Sequence, residues 1–285
     1  MGVESVPAGG QLGAVELLRR HPVKSMLGEE VPAADVTFTG LEHDRGLALL
    51  DRTTGKVASA KYPRRWRGLL ALSASAEGSE VRITLPDGRV LRSTDGDVDD
   101  VLSELLGRPV TLRATPPPDA TLDRAAPEEV LHGGADAEVR LDVSRIGMGS
   151  PADTFFDYAP VHLMTTSTLD RIGYLNRTGR ADPARYRPNI VISTSADGFV
   201  ENDWAGRILR IGDSLALRVL LPTPRCAVPT LAHGSLPADG AALRVLAEHN
   251  RVVPLEALGP QPCAGVYAQV MRPGRARLGD AVQWE

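Results

Sequence analysis

The chain has 285 residues, 42% hydrophobic and 24% charged, with a formal net charge of −4 at pH 7. That length and composition suit one large or two modest globular domains, and the mild acidity excludes the global basic field of a nucleic-acid binder. No apolar run approaches the 18 or more residues of a membrane span, and two cysteines cannot form a disulfide framework or a four-thiolate cluster.

The N-terminus lacks the basic start and long apolar segment of a signal peptide, and with so few cysteines this reads as a reducing, cytoplasmic compartment. Helical periodicity is scarce, while 28 Gly and 22 Pro punctuate many short apolar runs. The expectation is a mainly β protein with a few helices, in two β-rich units covering residues 1–115 and 130–285.

In chain order, residues 14–18 predict a strand, and His21-Pro-Val-Lys-Ser25 breaks it. Strands follow over 36–39, 46–51, 81–85 and 89–92, the last two joined by Pro86-Asp-Gly88, where Pro sets φ and Gly tolerates φ > 0. Residues 97–106 predict a helix that Asp97 caps and Gly107 ends. Residues 116–136 read as a surface connection. Strands resume over 139–146, 160–165 and 188–194, with helices expected over 167–176 (Ser167 as cap, Asp170 as its partner three residues on) and 240–250. Residues 215–221, 263–271 and 277–284 complete the barrel-like part.

Four clusters could carry chemistry. Lys24-Ser25 holds one of only three lysines against 29 arginines. Gly40-Leu-Glu-His-Asp-Arg45 delivers a charged turn into an apolar strand. Arg185-Tyr-Arg-Pro-Asn189 enters another, and strand alternation would put Arg185, Arg187 and Asn189 on one face. Pro222-Thr-Pro-Arg-Cys226 follows a strand; its prolines suggest a stiff loop outside any ladder, and Arg225 beside Cys226 favours thiolate over thiol. Each also has a plain structural reading: a solvated strand end, a surface turn, an edge strand and a buried small hydrophobe. Together they supply several cations, an amide and a thiol, which suits a phosphate-bearing, thiolate-ligated cofactor better than hydrolysis. No Gly-x-Ser-x-Gly elbow or phosphate-binding Gly-x-x-x-x-Gly-Lys loop is present. A Cys-His dyad using His162, His233 or His249 stays open.

In this order the clusters resemble the MOSC superfamily, the C-terminal domain type of molybdenum cofactor sulfurases, with its N-terminal β-barrel partner. The partner-domain likeness runs through Pro22-Val-Lys-Ser25 and Gly40-Leu-x-x-Asp-Arg45. The MOSC likeness rests on Val161-His-Leu-Met-Thr-Thr-Ser167, Arg185-Tyr-Arg-Pro-Asn-Ile-Val191, Glu201-Asn-Asp-Trp204, Arg225-Cys226 and Gly265-Val-Tyr267.

The resemblance implies a molybdenum cofactor (molybdenum-molybdopterin) between the two units, with Cys226 as the thiolate on the metal. Lys24, Ser25, Arg45, Arg187, Asn189 and Arg225 would hold the pterin and its phosphate, with Thr166 and Ser167 adding hydroxyl and helix N-terminal donors. Two-domain members of the amidoxime-reducing type reduce small N-hydroxylated compounds, so the expected function is an oxidoreductase acting on a small N-oxygenated substrate. With no dinucleotide fingerprint or cluster of its own, the chain would take electrons from a separate flavin, iron-sulfur or haem protein; neither nucleic acid nor membrane is an expected partner. Alternatives are sulfur transfer through a Cys226 persulfide and a non-catalytic molybdopterin carrier. One departure concerns the segment after the cysteine: many relatives carry an Asp-Pro-x-Thr-Gly-like stretch, and here it is Leu231-Ala-His-Gly-Ser-Leu-Pro237.

Overall fold

A computed structural model describes residues 10–151 and 154–285. Seven strands close into a barrel: β1 (Gln11–Arg20), β2 (Val161–Thr165), β3 (Ile190–Ser193), β4 (Ile208–Ile211), β5 (Leu215–Pro224), β6 (Gln261–Arg272) and β7 (Ala281–Trp284). The order around the barrel is β2-β3-β1-β7-β4-β5-β6, and β6 pairs back onto β2. All neighbours are antiparallel except β2 and β3. A parallel pair needs a crossover, and the helix Thr166–Asn176 begins it.

The inward residues of these strands, among them Val15, Leu163, Ile192, Leu209, Leu217, Val266 and Val282, form one buried apolar cluster. At order-of-magnitude level each such side chain contributes roughly 1.5–3 kcal/mol through removal from water. Trp204 and Trp284 meet edge to face at one end, with ring centroids 5.4 Å apart.

The N-terminal half builds a second core around Trp66, Leu69, Leu72, Ile83 and Leu102. Its strands are short: Ser73–Glu77, Glu80–Thr84 and Val90–Arg92 form one sheet, and Ala48–Asp51 pairs with Val110–Arg113. The helix Val98–Leu106 closes it and ends at Gly107, whose φ of 63° is left-handed and free of strain only for glycine. The halves interleave, since β1 lies in the barrel of the second half. The strand Ala33–Thr37 likewise pairs with Gly274–Arg277.

The protein is therefore mainly β with a few helices, as the punctuation predicted. Several local expectations need correction. The stiff loop at Pro222-Thr-Pro224 belongs to the ladder, with Pro222 opposite Val266 and Pro224 opposite Cys263. Prolines are tolerated there because β4 pairs with β5 only as far as Arg218, so the strand beyond has β6 alone beside it, across register shifts.

The connection over 116–136 carries structure of its own: Thr121–Ala125 pairs with Leu141–Arg145, and the helix Pro127–Gly133 lies between them. Arg185, Arg187 and Asn189 do not share a strand face. Asp182 caps a one-turn helix, Pro183–Tyr186, which ends at Arg187 with φ 58°, and the strand begins only at Ile190. The crossover helix starts one residue earlier than expected, capped by Thr165, whose Oγ1 accepts from Thr168 N at 3.1 Å. Asp97 precedes its helix but makes no side-chain cap bond. No helix among the described residues is long and apolar enough to cross a membrane.

Candidate functional site

A cavity of about 420 Å³ opens where the two cores meet. Of the residues singled out in the sequence, Lys24, Ser25, Arg45, Arg187, Asn189, Arg225 and Cys226 all line it. Thr166 and Ser167 do not, which corrects that expectation. With the helix starting at Thr166, their hydroxyls turn to the segment leading out of β3: Thr166 Oγ1 accepts from Thr194 N at 3.1 Å, and Ser167 Oγ donates to Gly198 O at 2.9 Å.

Lys24 and Ser25 come from the break after β1, and Ser25 sits at φ 65°. The Ser25 oxygen accepts from Ala60 N at 3.1 Å, so its own proton can serve a ligand. Lys24 is buried, and its ammonium donates to Phe155 O at 2.7 Å and Asp157 Oδ1 at 2.6 Å. Burial pushes it down to about 8, against the pull of Asp157. Lys61 reaches the same Asp157 oxygen at 3.0 Å. Burial alone would raise the Asp157 carboxyl; the two lysines hold it well below the usual range.

Arg45, at φ 52°, pairs with the buried carboxylate of its neighbour Asp44. Asp44 also accepts from His21 N at 2.6 Å and Asn189 Nδ2 at 2.9 Å. Burial would raise its carboxyl; Arg45 and His21 outweigh that and hold it at about 2. Asn189 gives its second N–H to Arg19 O at 3.2 Å and accepts from His162 N at 3.0 Å. Both of its donors are thus spent within the protein. The amide expected to hold a ligand instead fixes Asp44, and through it Arg45.

This network gives a pH-dependent prediction. A carboxyl depressed from 3.8 to about 2 contributes stability above its unfolded value, and loses it as the pH falls through about 2. The magnitude is of order 2–3 kcal/mol. Asp44→Asn should lose about that much at pH 7 and little at pH 2, read as urea midpoints at both. Equal losses at the two values would show that the charge contributes nothing.

Arg187 is the outlier. Its guanidinium is buried, and neither Nη1 nor Nη2 has a hydrogen-bond partner. Burial and the nearby Arg45 charge both push its pKa down. A guanidinium does not release its proton near neutrality, so the cost stands until an anion meets it. Arg225 is partly committed, donating to Tyr186 O at 2.8 Å, while its Nε remains unpartnered. Cys226 is 8% exposed and faces the cavity from just beyond β5. Cys263 is fully buried, and burial pushes its thiol up to about 12.

Sequence reasoning missed Lys61, Asp157, Arg124 and Tyr158, and gave Tyr267, whose ring centroid lies 5.5 Å from that of Tyr158, no place at the site. Lysine scarcity was a usable signal, because two of the three lysines lie here; Lys56, the third, pairs with Asp123. His162 lines the cavity; burial and Arg225 push it down to about 3, and its ring nitrogens lie 3.3 Å from the Arg187 and Ala264 carbonyls. Gly265 makes room for that ring, since a Cβ at its φ of 75° would stand 2.5 Å from His162 Nε2. His233 is pushed down to about 4 by burial, and His249 is exposed on its helix. No Cys-His dyad is assembled among the described residues.

The MOSC domain model matches residues 130–283, and the MOSC N-terminal beta barrel domain model matches residues 12–100. The chain belongs to the MOSC family. It is 23% identical to mitochondrial amidoxime-reducing component 1 of Homo sapiens over 289 residues, covering 95% of this chain and 83% of that protein. Among solved structures, the YuaD protein of Bacillus subtilis aligns over 96% of both chains with TM-score 0.46 and 11% identity. YiiM of Geobacillus stearothermophilus aligns over 58% of this chain and 73% of its own, with TM-score 0.31 and 13% identity. The family takes its name from the C-terminal domain of molybdenum cofactor sulfurases, and the cavity's donor set suits such a group. A buried, unpartnered guanidinium calls for an anion, and a thiol in the same cavity offers a soft ligand for a metal.

Proposed function

We propose that this protein binds a molybdenum-pterin cofactor in the inter-core cavity and reduces a small N-hydroxylated or N-oxygenated compound there. The observation that carries the reading is the pairing of Arg187, buried without an anion, with Cys226 in one cavity. When bound, the cofactor supplies two-electron oxygen-atom chemistry at its metal; the protein supplies binding, orientation and electrostatics. Cys226 would give its thiolate to the metal. Arg187, Lys24, Arg225 and the Ser25 hydroxyl would meet the phosphate and pterin oxygens. Arg45 would present a cation whose direction Asp44 and Asn189 fix. The half-buried rings of Tyr158 and Tyr267 give the reacting space an apolar wall that limits water. The resemblance to an amidoxime-reducing component supports the substrate class.

Electrons would come from a separate flavin, iron-sulfur or haem protein. Two cysteines cannot ligate a cluster, and no Gly-x-Gly-x-x-Gly fingerprint follows a strand. Protein from a molybdenum-replete host should contain one molybdenum and one pterin per chain. Chemically reduced, it should convert an amidoxime to the amidine, whereas a nicotinamide nucleotide alone should drive nothing. Folded protein without pterin would overturn the reading, and turnover with the nucleotide alone would overturn the external donor. Pterin without reduction would leave the carrier, and a Cys226 persulfide without pterin would leave sulfur transfer.

A further inference from the structure

The cavity's cations differ in how they are balanced. Lys24 and Lys61 share Asp157, Arg45 has Asp44, Arg145 pairs with Asp119, and Arg225 is held on the Tyr186 carbonyl. Two remain without a partner among the described residues. One is Arg187, deep and already assigned above to a phosphate-bearing cofactor. The other is Arg124.

Arg124 lies on the strand Thr121–Ala125, in the connection between the two halves. Leu122 and Arg124 both line the cavity, as alternate residues on one strand face must, and Ser144, opposite Leu122 in the register, lines it too. The nearest acidic candidate by register is Asp142, opposite Arg124. That carboxylate is 62% exposed and sits 3.9 Å from Arg140, and it makes no ion pair with Arg124. A half-buried guanidinium and a hydroxyl therefore face the same space as Arg187 from a shallower wall. The apolar side chains of Leu255 and Leu258, 39% and 48% exposed, line the same cavity.

We propose that Arg124, assisted by Ser144, forms a second anion subsite in the outer cavity, which takes a carboxylate or phosphate on the molecule bound there. The proposal rests on the reading that the deep part holds the cofactor. The anion has two possible sources: an acidic group on an N-oxygenated substrate whose apolar body lies against Leu255 and Leu258, or a second phosphate on a nucleotide-extended form of the pterin. Both use the same fork of donors.

The test is calorimetric binding of a matched pair, N-hydroxybenzamidine and its 4-carboxylate, to the purified cofactor-loaded protein, with the pterin released from each preparation identified. With a substrate anion, the wild type binds the carboxylate about tenfold more tightly than the neutral compound. Arg124→Ala brings that ratio to about one, and Arg124→Lys retains part of it. With a cofactor anion, the wild type releases a nucleotide-bearing pterin, and Arg124→Ala purifies with less of it. The proposal is overturned if Arg124→Ala changes neither the ratio nor the pterin, including the case where the carboxylate does not bind the wild type. An Arg124-dependent ratio without turnover of either compound would sink the reductase reading and leave the subsite standing. Turnover of both compounds, with ratio and pterin unaffected by Arg124→Ala, would do the reverse.

Discussion

Cys226→Ser is expected to abolish reduction of an amidoxime, while Cys263→Ser leaves turnover in place and lowers stability. The two thiols differ in what surrounds them. Cys226 faces the cavity beside Arg225, and its sulfur is a soft ligand of the kind a soft metal takes. A serine hydroxyl at that position stays protonated near pH 7 and is a hard, weak ligand, so the loss should reach the assay floor. Cys263 lies near the start of β6 with no exposed surface, and burial holds it as a thiol. Replacing it puts a more polar hydroxyl in a fully buried position, at roughly 1–3 kcal/mol. An alkylating reagent should label Cys226 ahead of Cys263 in cofactor-free protein and leave both unlabelled in loaded protein. Loss of activity in Cys263→Ser, with fold and metal content intact, would show that the single-thiolate reading is wrong.

That Cys226 stands beside Arg225 at a strand end was already visible in the sequence. What the sequence did not carry was pairing between distant segments. Asn189 reads as a ligand residue because its neighbours are cationic. Its amide is consumed by Asp44, 145 positions away, and by the backbone of His162 and Arg19. Asp157 and Lys61 sit in unremarkable local contexts and matter only because folding brings both to Lys24.

Local rules also failed where two of them competed. Proline chemistry suggested a loop at 222–224, but a strand with one remaining neighbour accommodates it. Alternation placed Arg185 with Arg187, but Asp182-Pro183 starts a helical turn, and Arg185 donates instead to the Leu231 and Pro237 carbonyls at 3.2 and 2.7 Å. Period-two patterning and turn chemistry were enough for the β class, because they depend on residues adjacent in the chain.

Arg187→Met should move two measurements in opposite directions. In cofactor-free protein Arg187 is a buried cation with two unpartnered nitrogens, and the neighbouring Arg45 charge adds repulsion. Replacing such a group with an apolar side chain of similar length removes the desolvation cost, and the cofactor-free variant should be more stable by roughly 1–4 kcal/mol. Methionine keeps a Cβ at φ 58°, so any gain comes from the charge and not from the backbone, as it could in Arg187→Gly. The same variant should purify with little pterin, because the donors that meet the phosphate are gone. Arg187→Lys, a point charge without the planar fork, should fall between wild type and methionine in pterin retained. The checks are urea midpoints of cofactor-free protein and pterin per chain in protein as purified. If Arg187→Met is less stable without cofactor and still retains pterin, the guanidinium supports the fold and the anion is held elsewhere in the cavity. Greater stability with lost pterin would mark Arg187 as a residue kept at a cost to the fold for the sake of its ligand.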